Sequence, residues 1–295
     1  MYPDLSLKEK VTHGTPGNPI HALHFTTGEG TPFPDHFFVT RHWHNYVEII
    51  YVLKGTYQFE INLENHHLSQ GDICILNSEE LHQITGMEAD TSHAVVLFDP
   101  RILDFSYKDE WEQKYISPFL ERSLLFQNIL RPEDSGYPDA VSVVKQLIRE
   151  SLEKHSGWYI RSKLLLLELF SHMGEQHMLL PTKEVLSPAD TRKIERYKSV
   201  ISYIEAHYSL PVSLQEMADT IPCNSQYLCR FFKEISGVTP TQYLIHYRVE
   251  QASAQLLATS KPVTDIALDC GFENISYFIR KFKEIKGCTP REYRK

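Results

Sequence analysis

The sequence has no apolar run approaching the roughly 20 residues that a membrane span requires. Its longest strongly apolar patch, Leu164 to Phe170, is short and is interrupted by Glu168. The opening MYPDLSLKEKVTHG is polar and lacks the apolar segment of a secretory signal. Both absences give the expectation of a cytoplasmic protein with no membrane partner. Cysteine is also scarce, five in 295 residues, an odd number with no CxxC pair. That argues against a disulfide framework or a zinc ribbon and for reduced, mostly packed thiols.

What is present is ordinary for a globular chain of one large domain or two: 42% hydrophobic and 23% charged. Charge, however, is unevenly spread. Residues 1–187 hold 15 Lys+Arg against 26 Asp+Glu, a net of -11, whereas residues 188–295 hold 15 against 12, a net of +3. The change of sign suggests two domains with different partners, the second tolerant of a polyanion.

Periodicity divides the chain in the same place. From about His21 to Phe98, short β-branched and aromatic runs (VEIIYVL, TYQFEINL, GDICIL, HAVVLF) are broken by Gly, Asn, Ser and Asp, the pattern of antiparallel β structure. After Asp99 the period becomes helical, over Ala140 to Lys154 and again over Ile160 to Met173. The segment LLLLELF is apolar around more of its helix than one stripe needs. It reads either as a helix packed between neighbours or as a self-association surface, with Leu166 and Leu169 as candidate contacts. At Leu179 to Asp190, Pro181 and Pro188 flank polar residues, and Ser187 can cap a helix that has Pro188 at its first position.

The last third contains an internal repeat. Val212 to Leu244 aligns with Val263 to Lys295, Ala218 falling on Ala267 and Phe232 on Phe282, with one residue inserted between these anchors. Each copy has the parts of a helix-turn-helix. In the first, Ser213 and Glu216 form a capping box and Asn224 or Ser225 caps a second helix. The other copy opens at Thr264 and Asp265, turns at Cys270-Gly271 and recaps at Asn274. Leu228, Phe231, Phe232 and Ile235 form an inward stripe, as do Phe278, Phe282 and Ile285. Asn224, Ser225, Gln226, Cys229, Arg230 and Lys233 are left at the start and on the outer face of one second helix, and Asn274, Ile275, Ser276, Ile279, Arg280 and Lys283 on the other. Such residues suit a major groove: Arg and Gln for base edges, apolar groups for thymine methyls, Lys for phosphates. The competing role for Arg230 and Arg280 is an intrahelical ion pair with Glu234 or Glu284.

The doubled unit, with A-x-x-x-G-F-x-x-x-S-Y-F-x-R-x-F-K-x-x-x-G-x-T-P in its second copy, resembles the DNA-binding domain of AraC-type transcriptional regulators over residues 188–295. The resemblance implies two helix-turn-helix units, about 212–237 and 263–287, joined by a long helix from about Val238 to Ala258. Ile221-Pro222 in the first copy, where the second has Gly271-Phe272, departs from the pattern and leaves the geometry of the first turn open.

In the β region, His42, His44 and Glu48 share parity, as they would on one face of a single strand, in the spacing H-x-H-x3-E-x6-G that closes on Gly55. His82 follows in GDICILNSEELHQ. These segments resemble the paired motifs of the cupin fold, a small β-barrel whose metal-binding members use three histidines and a glutamate. Asn77, Glu79 and Gly86 depart from the second motif. The quartet reads as a metal centre, as part of an effector site with Arg41 and Tyr57, or as structural histidines; Trp43 and Tyr46 lie nearby, for the pocket or for packing.

AraC-type regulators commonly join a cupin-like sensor barrel to this DNA-binding domain. The resemblance therefore implies an α+β protein: a cupin-like barrel over 1–105, a helical linker and dimerisation region over 106–180, and an all-α domain over 188–295. It implies no enzyme and no cofactor, but a regulator partnered by double-stranded DNA, a small-molecule effector of the carbohydrate class, a second copy of itself and RNA polymerase. A metal-dependent enzyme or a metal-responsive regulator built on His42, His44, Glu48 and His82 stays open as the alternative.

Overall fold

The N-terminal β-branched and aromatic runs form the strands β1 (Ile20–Thr26), β2 (Phe38–His42), β3 (Val47–Lys54), β4 (Thr56–Ile61), β5 (Glu64–Ser69), β6 (Ile73–Leu76), β7 (His82–Gly86) and β8 (Ser92–Phe98). The computed structural model describes residues 9, 13–15, 17–29, 31, 37–185 and 187–294. Two short strands follow, β9 (Leu124–Phe126) and β10 (Ile129–Leu130), and a third, β11 (Leu179–Pro181), comes later. One sheet has the order β1-β8-β3-β6-β10 and the other β2-β7-β4-β5, with antiparallel pairing throughout. A separate pair joins β9 to β11.

Strand β3 shows why its sequence is apolar nearly throughout. Val47, Ile49 and Tyr51 face one core, shared with the helices, while Ile50 and Val52 face a second core between the two sheets. A strand buried on both faces loses the polar alternation of a half-exposed one. Glu48 shares the parity of Ile50 and Val52, so its carboxylate enters the barrel. The barrel-side core is completed by Tyr57, Phe59, Ile61, Leu68, Leu76, Ile84, Val95 and Leu97. The tight β4–β5 turn has positive φ at both Asn62 and Leu63, as a two-residue hairpin of matching twist requires.

A π-helical turn (Glu112–Ile116) leads into α1 (Ser117–Leu120), and two long helices follow, α2 (Tyr137–Glu153) and α3 (Trp158–Glu175). Val143, Val144 and Leu147 from α2 pack with Leu166, Leu169, Phe170 and Met173 from α3 onto the outer face of the five-stranded sheet. Leu166 and Leu169 are 2% and 1% exposed, so of the two readings of LLLLELF these positions follow the packed one, and they are core. Ile160 and Leu164 lie outward on the same helix, 63% and 61% exposed.

After α4 (Thr182–Val185), α5 (Pro188–His207) begins with Ser187 accepting the Asp190 amide, the expected cap. Compact units divide between Asp190 and Thr191. The remaining chain forms α6 (Leu214–Asp219), α7 (Ser225–Ser236), α8 (Pro240–Ala258), α9 (Val263–Asp269), α10 (Ile275–Lys286) and α11 (Pro290–Tyr293). Helix α8 serves both halves of this unit: Tyr243 and Leu244 are buried near its start, and Val249, Ala252 and Leu256 join the core of the second copy.

The repeat is visible residue by residue. Ala218 and Ala267 are both fully buried, as are Leu228 and Phe278, Phe232 and Phe282. Asn224 caps α7 through the Tyr227 amide, and Asn274 caps α10 through the Tyr277 amide. Both helices end on a glycine in the left-handed region, Gly237 and Gly287 at φ 77°, where a side chain would be strained. One expected start differs: α9 opens at Val263 behind Pro262 with no side-chain cap, so Thr264 and Asp265 lie inside the helix. Proline fixes the approach angle and the hydroxyl is not needed.

Candidate functional sites

His42 closes β2, Glu48 lies just inside β3, and the residues between them make the turn that carries His44. Expected to share one strand, the three instead converge from two sheets across this turn, and His82 joins them from the start of β7, directly opposite His42 in the β2–β7 register. The His42 and His82 ring centroids are 4.2 Å apart, those of His44 and His82 5.0 Å. His44 Nε2 is 3.1 Å from the Glu48 carboxylate and His82 Nε2 3.7 Å from the same oxygen. One nitrogen from each of the three histidines lies within 4.8 Å of the others, the cluster among the described residues that could hold a metal ion.

Burial depresses the pKa of His42. Burial, with the neighbouring His42 and His44, holds His82 well below the usual histidine range. Burial works against charge on His44 as well, but the hydrogen bond and negative charge of Glu48 outweigh it and raise its pKa. The site therefore favours two neutral imidazoles and one that readily carries a proton.

His42, His44 and Glu48 edge a cavity of about 100 Å³. Its polar lining is Glu9, His13, His42, His44, Glu48 and His93; its apolar lining comes from Leu23, Phe25, Phe37, Val39, Ile84, Val95 and Leu97. Glu9 is tied in place by its amide, which donates to the Trp43 carbonyl at 2.9 Å, and its carboxylate pairs with His13 at 3.0 Å. Burial disfavours the Glu9 carboxylate, but the hydrogen bond and charge of His13, with His42 and His44, leave its pKa lowered.

Arg41 and Tyr57, expected to line the site, have other partners. Arg41 grips both carboxylate oxygens of Glu60, at 2.6 and 2.8 Å. Tyr57 is buried in the barrel core with its hydroxyl 2.8 Å from His93 Nδ1, and burial pushes its pKa up to about 12. Trp43 is buried, and Tyr46 packs against the barrel core. Sequence reading missed His93, Glu9 and His13. Of these only His93 had a local signal, a histidine inside the apolar HAVVLF strand.

Glu79 occupies a position where the cupin motif has glycine, and its φ is 63°. Its amide donates to the His44 carbonyl at 2.6 Å and its carboxylate pairs with Arg122 at 2.7 Å. The rim before His82 thus keeps the left-handed turn without glycine, held by these two contacts.

In the helical unit, the outer positions of α7 and α10 face solvent. Asn224, Gln226, Arg230 and Lys233 are exposed, with Ser225 and Cys229 partly so. Asn274, Ser276, Ile279, Arg280 and Lys283 are exposed and Ile275 is partly buried. The two asparagine side chains use their oxygen for caps, and Ser225 donates to Gln215 at 2.9 Å. Glu234 and Glu284 pair with Lys193 and Lys281 at 2.6 and 2.8 Å, rather than with the arginines. The Arg280 guanidinium stands 5.3 Å from the Tyr277 ring centroid.

The first turn is built without a left-handed residue: Thr220 stays right-handed and Ile221, 3% exposed, plugs the core where Phe272 does so in the second copy.

Residues 27–170 match the family model of the AraC-like ligand binding domain, and residues 217–295 match that of a helix-turn-helix domain. An HTH-type transcriptional regulator of Bacillus subtilis, YdeC, is 25% identical over 92% of this chain and 90% of its own length. The melibiose operon regulatory protein of Escherichia coli is 25% identical over 88% and 85%. Among solved structures, the C-terminal domain of the response regulator yesN from Fusobacterium nucleatum is 32% identical, covering 34% of this chain and 99% of that one, with a TM-score of 0.33.

Proposed function

We propose how the parts of this chain, which belongs to the AraC-type family of transcriptional regulators, divide its work. It is a DNA-binding regulator with a ligand-binding domain and a helix-turn-helix domain, and its partners are double-stranded DNA and a small molecule. We place the DNA contacts on the exposed faces of α7 and α10. Arg230, Gln226 and Arg280 read base edges, Ile279 and Cys229 meet thymine methyls, and Lys233 and Lys283 bind phosphates. The observation that carries this assignment is the recurrence of Arg and Lys at equivalent outward positions of two helices with matching caps.

The effector enters the barrel beside His42, His44, Glu48, His82 and His93, and its class is carbohydrate. Imidazole and carboxylate groups offer sugar hydroxyls several partners, and a relative's name includes the melibiose operon. Arg41 and Tyr57 act behind this site rather than in it. The cavity, about 100 Å³, is smaller than the roughly 300 Å³ at which small-molecule sites begin. A sugar ring therefore binds only as the Glu9 and His13 side chains give way, so effector and these two side chains compete for one space. Regulation follows if the two arrangements hold the DNA-binding unit differently, because a ligand shifts only an equilibrium whose states it distinguishes.

The domain limits 1–105, 106–180 and 188–295 describe this division, the middle segment supplying a homodimer contact through Ile160 and Leu164 of α3. RNA polymerase is the further partner when the protein acts as an activator.

A thermal-shift screen of sugars and sugar phosphates against the full chain tests the effector class. A sugar at 100 times its Kd stabilises the protein by about 2.7 kcal/mol. The carbohydrate reading fails if no sugar shifts the barrel transition while another small molecule does.

A further inference from the structure

We propose that Arg248 is a positioning residue for DNA recognition: by clamping the lead-in of one helix-turn-helix to the turn of the other, it sets the base-pair spacing that α7 and α10 accept. This rests on the placement of the DNA contacts on those two helices.

Arg248 lies midway along α8, the helix on which both copies pack. Its Nε donates to the Tyr208 carbonyl and its Nη2 to the Leu210 carbonyl, both at 2.7 Å. These carbonyls lie just beyond His207, the last residue of α5, where a helix end leaves acceptors unpaired and favours a cation. Leu210 stands four residues before α6, which opens the first copy. The same guanidinium also covers the turn of the second copy. A Cβ on Gly271 would fall 2.9 Å from both Arg248 Cζ and Nη2, and the Phe272 ring centroid is 5.8 Å from Cζ. Gly271 in turn stands four residues before α10. One planar group thus joins the two copies at points that lead directly into their helices.

A cleft of about 540 Å³ opens between the copies here, with Ser213 and Glu216 on one side, Glu273 and Asn274 on the other, and Arg248 in its lining. An open cleft supplies no packing to resist a relative shift. Resistance there comes from the two Arg248 bonds and from Tyr208, which packs on the core of the second copy. The rigid fork of arginine holds both carbonyls at one angle, whereas the single ammonium of lysine is a point charge on a flexible stem.

Recognition helices in successive major grooves stand about 34 Å apart, one turn of about 10.5 base pairs. One added base pair moves the second target by about 3.4 Å along the axis and by about 34° around it. Bidentate contacts to base edges survive that displacement only if the two copies shift relative to each other. A clamped pair therefore rejects the altered spacing and an unclamped pair tolerates it.

The test uses full-length protein and a duplex that the unaltered protein selects from a random pool, in its original form and with one base pair inserted between the two contacted grooves. The unaltered protein is expected to bind the inserted duplex at least about tenfold more weakly, the loss of one good base contact. For Arg248→Met that ratio is expected to fall below about threefold, and for Arg248→Lys to lie between. A smaller folded fraction weakens binding to both duplexes alike, so the ratio reports spacing and not stability, and circular dichroism checks that each variant is folded. Arg230→Ala and Arg280→Ala on the same duplex, each losing discrimination at a base pair of its own, show that both helices read. If they do and Arg248→Met keeps the spacing preference, this inference alone falls. If neither loses discrimination, the placement of the contacts falls and the inference with it. An unaltered protein indifferent to the insertion, or loss of folding in both Arg248 variants, also overturns it.

Discussion

A methyl group on Gly271 would stand 2.5 Å from the Tyr208 carbonyl oxygen. Gly271 has φ 82°, and Arg248, which donates to the carbonyls of Tyr208 and Leu210 at 2.7 Å each, crowds the same point. The turn of the second helix-turn-helix is thus pressed against the end of α5, and only a residue without a side chain fits.

Gly271→Ala is therefore expected to destabilise the helical unit by about 2 to 3 kcal/mol, through the strained φ and the displaced neighbours. Chemical denaturation followed by far-ultraviolet circular dichroism measures this. All three tryptophans, Trp43, Trp111 and Trp158, lie in the other unit, so their fluorescence should report an unchanged barrel transition.

Arg280→Ala is expected to weaken operator binding by about 1 to 3 kcal/mol and to relax specificity at one base pair. Lys283→Ala should act uniformly on all sequences and reduce the log-log salt slope by about 0.9, one released counterion. Fluorescence anisotropy titrations across a salt series separate the two. Equal losses on specific and random DNA for Arg280→Ala would remove it from base readout.

Burial lowers the pKa of His93 to about 4, against an ordinary value of 6.5. Above pH 6.5 neither folded nor unfolded protein is protonated there, and stability is independent of this group. Between 6.5 and about 4 the unfolded chain takes up the proton first, so stability falls as pH falls, by about 3 kcal/mol at most. Tryptophan-monitored urea midpoints at successive pH values should show the fall, and His93→Gln should reduce it, leaving the part owed to the depressed His42 and His82.

Leu166→Glu and Leu164→Glu differ by two residues and should behave oppositely. The first puts a carboxylate into a site that is 2% exposed, and a loss of more than about 3 kcal/mol is expected. The second lies on a 61% exposed position and should change stability by less than about 0.5 kcal/mol. Light scattering on Leu164→Glu then checks the α3 contact, with the mass expected to halve. An unchanged dimer mass would place the contact elsewhere.

The helical unit was legible because its information is local and written twice. Caps such as Ser213, Asn224 and Asn274, the glycines that end α7 and α10, and the stripes of Leu228, Phe232, Phe278 and Phe282 depend on neighbours within a few residues. Chain-local spacing states such dependencies directly. Thr264 misled because a side-chain cap and a proline can each start a helix, and the sequence offered both.

The barrel site was less legible. His42, His44, Glu48 and His82 were found by spacing, but Arg41 and Tyr57 were assigned by proximity in sequence, which does not say toward which side of a strand a partner stands. Glu60 on β4 and His93 on β8 claimed those side chains instead. Leu166 and Leu169 were left between core and self-association for a similar reason: a helix apolar on most of its surface does not announce which part meets the sheet.

By itself, the sequence determined the order of the two units, the duplicated helix-turn-helix with its outward Arg and Lys, and the identity of four clustered donors. Those follow from periodicity and capping, which act along the chain. Only the tertiary structure decided that the four donors come from two sheets, that His82 Nε2 has no donor among the described residues, and that the cavity beside it is small. These follow from strand register and from which faces two cores demand, and such forces act between residues far apart in the chain.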